Sequence, residues 1–331
     1  MLARNNNHSK TINTITISGL LVTLGIIYGD IGTSPLYVFK AIIGTGTLNK
    51  ISELIVLGGV SCILWTLTLQ TTIKYVWLTL LADNKGEGGI FALYTLVKKT
   101  KVKWLLILAI IGGSALLADG IITPPISVSS AIEGLRIYHP EIKTVPIVIA
   151  ILAALFFIQQ FGTNFIGKFF GPIMLIWFLM LGALGVFGII EDITILRAIN
   201  PYYAFKLLKE YPNGILLLGA VFLATTGAEA LYSDLGHCGR VNVRLSWIFV
   251  KLMLIINYLG QGAFLLKHTG STLVELGGGD PNNPGNPFYL LMPSWFTGIG
   301  IVISTLAAII ASQALISGSY TLISEAMRLN L

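Results

Sequence analysis

A chain of 331 residues that is 54% hydrophobic and 11% charged is too apolar for a water-soluble domain of this size and fits a polytopic membrane protein. Its net charge of +6 does not imply nucleic acid, because Lys and Arg in such a chain collect in cytoplasmic loops and report orientation. Cys62 and Cys238 lie in or beside apolar stretches, which suggests packing residues rather than a disulfide framework.

The N-terminal segment 1–14 is polar, with Arg4 and Lys10 its charged residues. The apolar stretch after it lacks a small-x-small cleavage site, so a cleavable signal is not expected and the segment stays in the cytoplasm. The first apolar window, 15–43, contains Gly29-Asp30-Ile31-Gly32-Thr33-Ser34-Pro35-Leu36-Tyr37. An aspartate in hydrocarbon costs at least ~2.5 kcal/mol, so by default it marks an ion or substrate site. Gly29 and Gly32 loosen the helix, and Pro35 removes an N–H and obstructs the carbonyl four residues earlier. A broken membrane helix is expected, its freed carbonyls joining Asp30 in replacing an ion's water shell. The bland reading is a kinked helix in which Asp30 bonds a neighbouring hydroxyl.

Further windows of spanning length follow at 54–81, 104–135, 145–157, 166–190, 215–235, 245–266 and 297–323, which makes eight spans. The fourth is short, hence tilted or partly interfacial. With the N-terminus inside, inner loops hold Arg4, Lys10, Lys85, Lys98, Lys99, Lys101, Lys103, Lys168, Arg240, Arg244 and Arg328. The outer loops hold fewer basic residues over a longer stretch, which supports that orientation. Loop 82–103 is read as cytoplasmic: Gly86-Glu87-Gly88-Gly89 lacks the Gly-Lys-Ser/Thr ending of a phosphate loop, and the helix after it looks interfacial. Loop 268–296, saturated with turn residues between 277 and 287, is read as an extracellular, solvated connector. Glycines within the spans, among them Gly182, Gly185 and Gly188, are read as helix-packing positions.

Acids recur where hydrocarbon is expected: Asp119 and Glu133 in the third span, Glu229 and Asp234 in the sixth. Asp119, Thr123 and Ser127 are four apart and share one helix face. Pro124 and Pro125 are expected to break the ladder there. Thr226 and Glu229 share a face of the sixth span. Gly227-Ala228-Glu229-Ala230-Leu231-Tyr232 echoes Gly32-Thr33-Ser34-Pro35-Leu36-Tyr37, and spans one and six are equivalent in a fold of two inverted five-helix repeats. Several acids without a central Lys or Arg, Lys74 and Lys251 being placed nearer segment ends, select a cation. Carboxylate, hydroxyl and carbonyl oxygens without a Cys, Met or His cluster favour Na⁺, K⁺ or H⁺ over a transition metal. No nucleophile and base pair or metal motif suggests an enzyme, and no cofactor is called for.

The motif at 29–37 together with Gly86-Glu87-Gly88-Gly89, Asp119-Gly120-Ile121-Ile122-Thr123-Pro124-Pro125-Ile126-Ser127, Ala131-Ile132-Glu133-Gly134, Phe169-Phe170-Gly171-Pro172, Ile199-Asn200-Pro201 and the run from Thr226 to His237 resembles the KUP/HAK/KT potassium uptake permeases. The likeness runs from about residue 20 to the last. It implies an all-α, LeuT-type (APC superfamily) inverted-repeat fold and K⁺ uptake in symport with H⁺ across the bacterial inner membrane. Its implied K⁺ site is Asp30 and Tyr37, Asp119, Thr123 and Ser127, and Thr226 and Glu229. Tyr37 enters only through the resemblance. Members continue with about four more helices and a cytoplasmic region, so a truncated second repeat is expected here, with a homodimer possible. For the proton, Asp119 is the first choice because it follows Leu116, Leu117 and Ala118, and apolar surroundings favour a neutral carboxyl. Glu229 is the second choice, and Asp30 is a permanent ligand. The alternatives are a cation-coupled amino-acid or polyamine permease of the same fold, and a non-transporting membrane scaffold or sensor.

Overall fold

The computed structural model describes residues 15–44, 50–84, 86–98, 102, 104–159, 167–212 and 214–329. The segment 1–14 and Lys85, Lys99, Lys101 and Lys103, which the sequence reading assigns to inner loops, lie outside them. Among the described residues every named element is helical, with only isolated bridges at Lys50–Thr272 and Asn84–Glu87.

The first span is two pieces. Helix α1 (Ile17–Ile26) begins where the Thr16 hydroxyl accepts the Gly19 N–H at 3.0 Å. Helix α2 (Gly29–Thr33) continues as a tight turn over Ser34–Leu36, and the two directions differ by 68°. The bend is fixed by a backbone approach that only glycine permits: a Cβ on Gly29 would lie 2.9 Å from Ala311 Cα. Helix α3 (Val38–Ile43) completes the passage. Next comes α4 (Glu53–Leu81), capped by Ser52 and widening to a π-helix over Leu67–Leu78. A short α5 (Ile90–Val97) leads to α6 (Trp104–Ile137) and α7 (Thr144–Gln159).

Helix α8 (Gly167–Glu191) is followed by the amphipathic α9 (Tyr202–Glu210). The next passage is α10 (Gly214–Phe222), a tight turn over Leu223–Thr225, an unwound stretch at 226–229, then α11 (Ala230–Ser233) and α12 (Leu235–Cys238). The described part ends with α13 (Arg240–Lys267), the short α14 (Leu273–Leu276) and α15 (Pro287–Leu290), and α16 (Ser294–Arg328).

Among the described residues six passages are long and apolar enough to cross a bilayer, seven if the bent pair α1/α2 is one span. The fourth window became α7, whose 16 residues rise about 24 Å against a hydrocarbon core of about 30 Å. Helix α6 runs unbroken through Pro124 and Pro125, against the expected break: two adjacent prolines remove two ladder bonds without ending the helix, and Pro124 and Thr123 are buried on its inner side. The glycine stripe packs as read, with Gly182, Gly185 and Gly188 of α8 set against Met253, Ile256 and Gly260 of α13. Trp177, Phe178, Trp247, Tyr28 and Phe288 are fully buried and fill the centre around the break of the first span.

The turn-rich loop 268–296 is more than a connector. Asn286 reaches in to donate to the Leu36 carbonyl at 2.8 Å, and Tyr289 Oη donates to the Ala131 carbonyl at 2.8 Å. Phe288 and Tyr289 are buried beneath them.

Candidate cation site

Three spans bring three acids together. Asp30 on α2 is 4% exposed, and neither carboxylate oxygen has a hydrogen-bond partner. Asp119 on α6 accepts the Thr123 hydroxyl on Oδ1 at 2.7 Å, while Oδ2 is buried without a partner. Glu229 ends the unwound stretch before α11. One carboxylate oxygen from each lies within 4.8 Å of the other two. Ionised carboxylates at that spacing repel by roughly 3 kcal/mol per pair at an effective dielectric of about 20, so the cluster calls for positive charge.

The other residues read from sequence surround this centre unequally. Ser127, 1% exposed, sits 3.3 Å from the Thr33 hydroxyl, which itself donates to the Asp30 carbonyl. Tyr37 is buried with its phenol 3.2 Å from Ser34 Oγ. Thr226 marks the corner where span six leaves helical geometry, with ψ 135°, and among the described residues no hydrogen bond joins its hydroxyl to the acids. Ile121, on the opposite side of α6 from the stripe, and Ile122 on its flank are 74% and 57% exposed, so the stripe and not the helix as a whole faces the core. Glu133 lies apart: it pairs with Lys40 at 2.8 Å, tying the end of α6 to α3. Lys251, read as nearer a segment end, is instead the twelfth residue of the 28 in α13.

Side chains take up several carbonyls at the two breaks. At the first break the Gly32 carbonyl accepts the Trp177 indole N–H at 2.9 Å, that of Pro35 accepts Gln261 Nε2 at 3.0 Å, and that of Leu36 accepts Asn286. Gln261 is held by Asn257 Oδ1 at 2.8 Å. At the second break Ser34 Oγ donates to the Leu223 carbonyl at 2.9 Å. Buried carbonyls must be paired, and at Gly32, Pro35, Leu36 and Leu223 side chains pair them.

Gly227 completes the geometry. At φ 86° it occupies the left-handed region, and a Cβ there would lie 2.7 Å from Asp30 Cβ and Oδ2. Span six can therefore lie directly against the Asp30 carboxylate. A glycine inside an apolar span, one residue after paired threonines, was the available signal. Trp177, Gln261, Asn257 and Asn286 carried weaker ones. Only Gln261 and Asn257, amides four apart in an apolar helix, broke the hydropathy pattern.

A cavity of about 110 Å³ starts at Asp30, Asp119 and Glu229 and continues past Ala230 and Leu315 to Glu87, His237 and Glu325. No Lys or Arg is among its described lining residues. It runs towards the loop that carries Gly88 and Gly89.

The profile described as "K+ potassium transporter integral membrane domain" matches residues 17–331. The chain is similar to a "Probable potassium transport system protein Kup" of Flavobacterium psychrophilum, 67% identical over 98% of this chain and 48% of the relative. A protein of the same description from Cytophaga hutchinsonii is 61% identical over 99% of this chain and 48% of its own length. A "Putative potassium transport system protein Kup 1" of Lactococcus lactis is 52% identical over 98% and 48%. The chain spans about half the length of these curated relatives. No solved structure matches it. The chain is a multi-pass membrane protein and belongs to the K⁺ potassium transporter integral membrane domain family.

Proposed function

We propose that this chain forms the ion-binding core of a K⁺ uptake transporter. The observation that carries the proposal is the meeting of Asp30, Asp119 and Glu229, each from a different span, with the Asp30 carboxylate buried and unpaired. Potassium is a hard cation suited to oxygen ligands, and the relatives' descriptions name potassium transport. Tyr37, Thr123, Ser127 and Thr226 supply neutral oxygens around the acids. Paired breaks at 27–28 and 226–229, on the two spans that share the Gly-to-Tyr likeness, support a LeuT-type inverted repeat.

In this reading K⁺ enters with H⁺. Asp119 carries the proton, Glu229 is the second candidate, and Asp30 stays ionised as a ligand. The bacterial inner membrane, a cytoplasmic N-terminus and a cytoplasmic loop 82–103 with an extracellular loop 268–296 go with it, so the cavity lined by Glu87 and His237 opens inward. Two carboxylates beside one bound K⁺ also give the proton a place from which it senses the ion directly.

Uptake of Rb⁺ as a K⁺ surrogate into proteoliposomes tests the proposal. The parent is expected to accumulate Rb⁺ faster with an inward proton gradient, and residual uptake by Asp119→Asn is expected to ignore that gradient. A folded parent that moves no Rb⁺ fits the scaffold reading instead. Gradient-dependent uptake by Asp119→Asn removes Asp119 as the coupling group.

A further inference from the structure

Helix α13 carries Arg244 and Lys251 seven residues apart. That spacing returns to one helix face with a rise of about 10 Å. Between this face and the π-helical part of α4 lies a groove of about 620 Å³, walled chiefly by Val76, Trp77, Ile248, Leu252 and Ile255. Trp77 and Ile248 are 61% and 67% exposed on the outer surface of the bundle. Trp247, also in the groove wall, is fixed: its indole N–H donates to Thr72 Oγ1 at 3.0 Å, and its ring stacks on Tyr28 at 6.0 Å.

The two cations give the apolar groove one charged end. Arg244 donates from Nε to the Val76 carbonyl at 3.2 Å and from Nη2 to the Trp77 carbonyl at 3.5 Å. A guanidinium has five N–H groups, so donors remain. Lys251 has no ion-pair partner among the described residues, and no acid lines the groove. An unpaired ammonium well inside a span is strongly disfavoured in hydrocarbon unless it reaches an anion or the interface. Helical side chains lean towards the N-terminus of their helix, which carries the Lys251 ammonium towards Arg244 and the membrane surface at the Arg240 end.

We infer that this groove binds one anionic phospholipid from the leaflet at the Arg240 end, its phosphate shared by Arg244 and Lys251 and an acyl chain along Trp77, Ile248 and Leu252. Charge complementarity selects the occupant. A zwitterionic lipid would fit the apolar wall but bring its own cation beside two others, whereas basic pockets between spans recognise anionic headgroups. The inference needs only a membrane-spanning chain and stands apart from the transport proposal.

The test is native mass spectrometry of the purified protein after exchange into phosphatidylglycerol and phosphatidylcholine mixtures. One phosphatidylglycerol per chain is expected to survive delipidation. Lys251→Gln should lower its retention about fivefold, the effect of one interfacial charge, and Lys251→Arg should preserve it. Equal retention by Lys251→Gln and the parent overturns the site. Lys251 makes no described hydrogen bond, so the variant is expected to fold, with thermal unfolding in detergent as the check. An Ile248→Cys variant should react with a lipid-soluble maleimide and be protected by phosphatidylglycerol. A folded variant that does not react shows protein covering the groove, and this also overturns the inference.

Discussion

The two broken spans solve the same problem in different ways. At the first break, the carbonyls of Gly32, Pro35 and Leu36 are paired by Trp177, Gln261 and Asn286, side chains from three distant parts of the chain. At the second, the chain largely pairs its own carbonyls: Ala228 N–H donates to Thr225, Ala230 to Gly227, Leu231 to Ala228, and the Thr225 hydroxyl to Phe222. The first break is thus pinned from outside, and the second is wound by local turns around Gly227. The difference teaches that Asp30 is presented by a scaffold, while Glu229 is presented by a locally wound turn lying on it.

The harshest way to break this arrangement is to neutralise the pinned acid. Asp30→Asn keeps shape and removes a contact of about 3 kcal/mol, so Rb⁺ uptake should fall about a hundredfold in protein that still reaches the membrane. Near-parental uptake would reduce Asp30 to a packing residue.

Gly227→Ala attacks the second break. A left-handed alanine costs about 1–2 kcal/mol, and its methyl group would displace the Asp30 carboxylate, so uptake should drop roughly tenfold or more. Uptake equal to the parent's would mean that span six does not need to approach Asp30.

The comparison is sharpened by stability. Gln261→Leu or Trp177→Phe leaves a buried carbonyl unpaired, worth about 1–3 kcal/mol, and should lower the thermal midpoint in detergent. Thr225→Val at the self-wound break removes one local bond and should cost about 0.5–1.5 kcal/mol. If Thr225→Val destabilises as much as Gln261→Leu, the pinned and self-wound description fails.

Thr123→Val and Ser127→Ala should have the smallest effect. Each removes a neutral oxygen and leaves no charge unpaired, so apparent Rb⁺ affinity should fall a few-fold and the alkali-cation order should change. Identical affinity and order in both variants would assign the stripe to helix packing.

The first break was legible in the sequence because glycine, proline and acid coincide there, the second only through its glycine and acid and the Gly-to-Tyr likeness to the first, and the four-residue repeat of Asp119, Thr123 and Ser127 gave their shared face directly. The structure brings Asp30, Asp119 and Glu229 together, although nothing local in the sequence states that distance. The carbonyl pairing was not legible, since Trp177, Gln261 and Asn286 act 145, 226 and 250 residues from their acceptors. Their residue types are ordinary in a span or a loop. Glu133 misled for the opposite reason. Hydropathy put it in the third span, and Lys40, 93 residues away, neutralises it at the end of α6. The 16-residue α7 shows the limit of counting windows: hydropathy found the helix but not whether its length suffices.

The paired carbonyls also bear on how such a protein changes over generations. A filter made of main-chain oxygens keeps its ligands whatever the codons say, because every residue type offers the same carbonyl. In the proposed site, the selecting atoms belong to side chains, and one nucleotide change can exchange Thr123 for serine or alanine, or Asp119 for asparagine. Preference among alkali ions and dependence on the proton are thus open to stepwise drift. The Trp177, Gln261 and Asn286 anchors keep the backbone in place while that drift occurs.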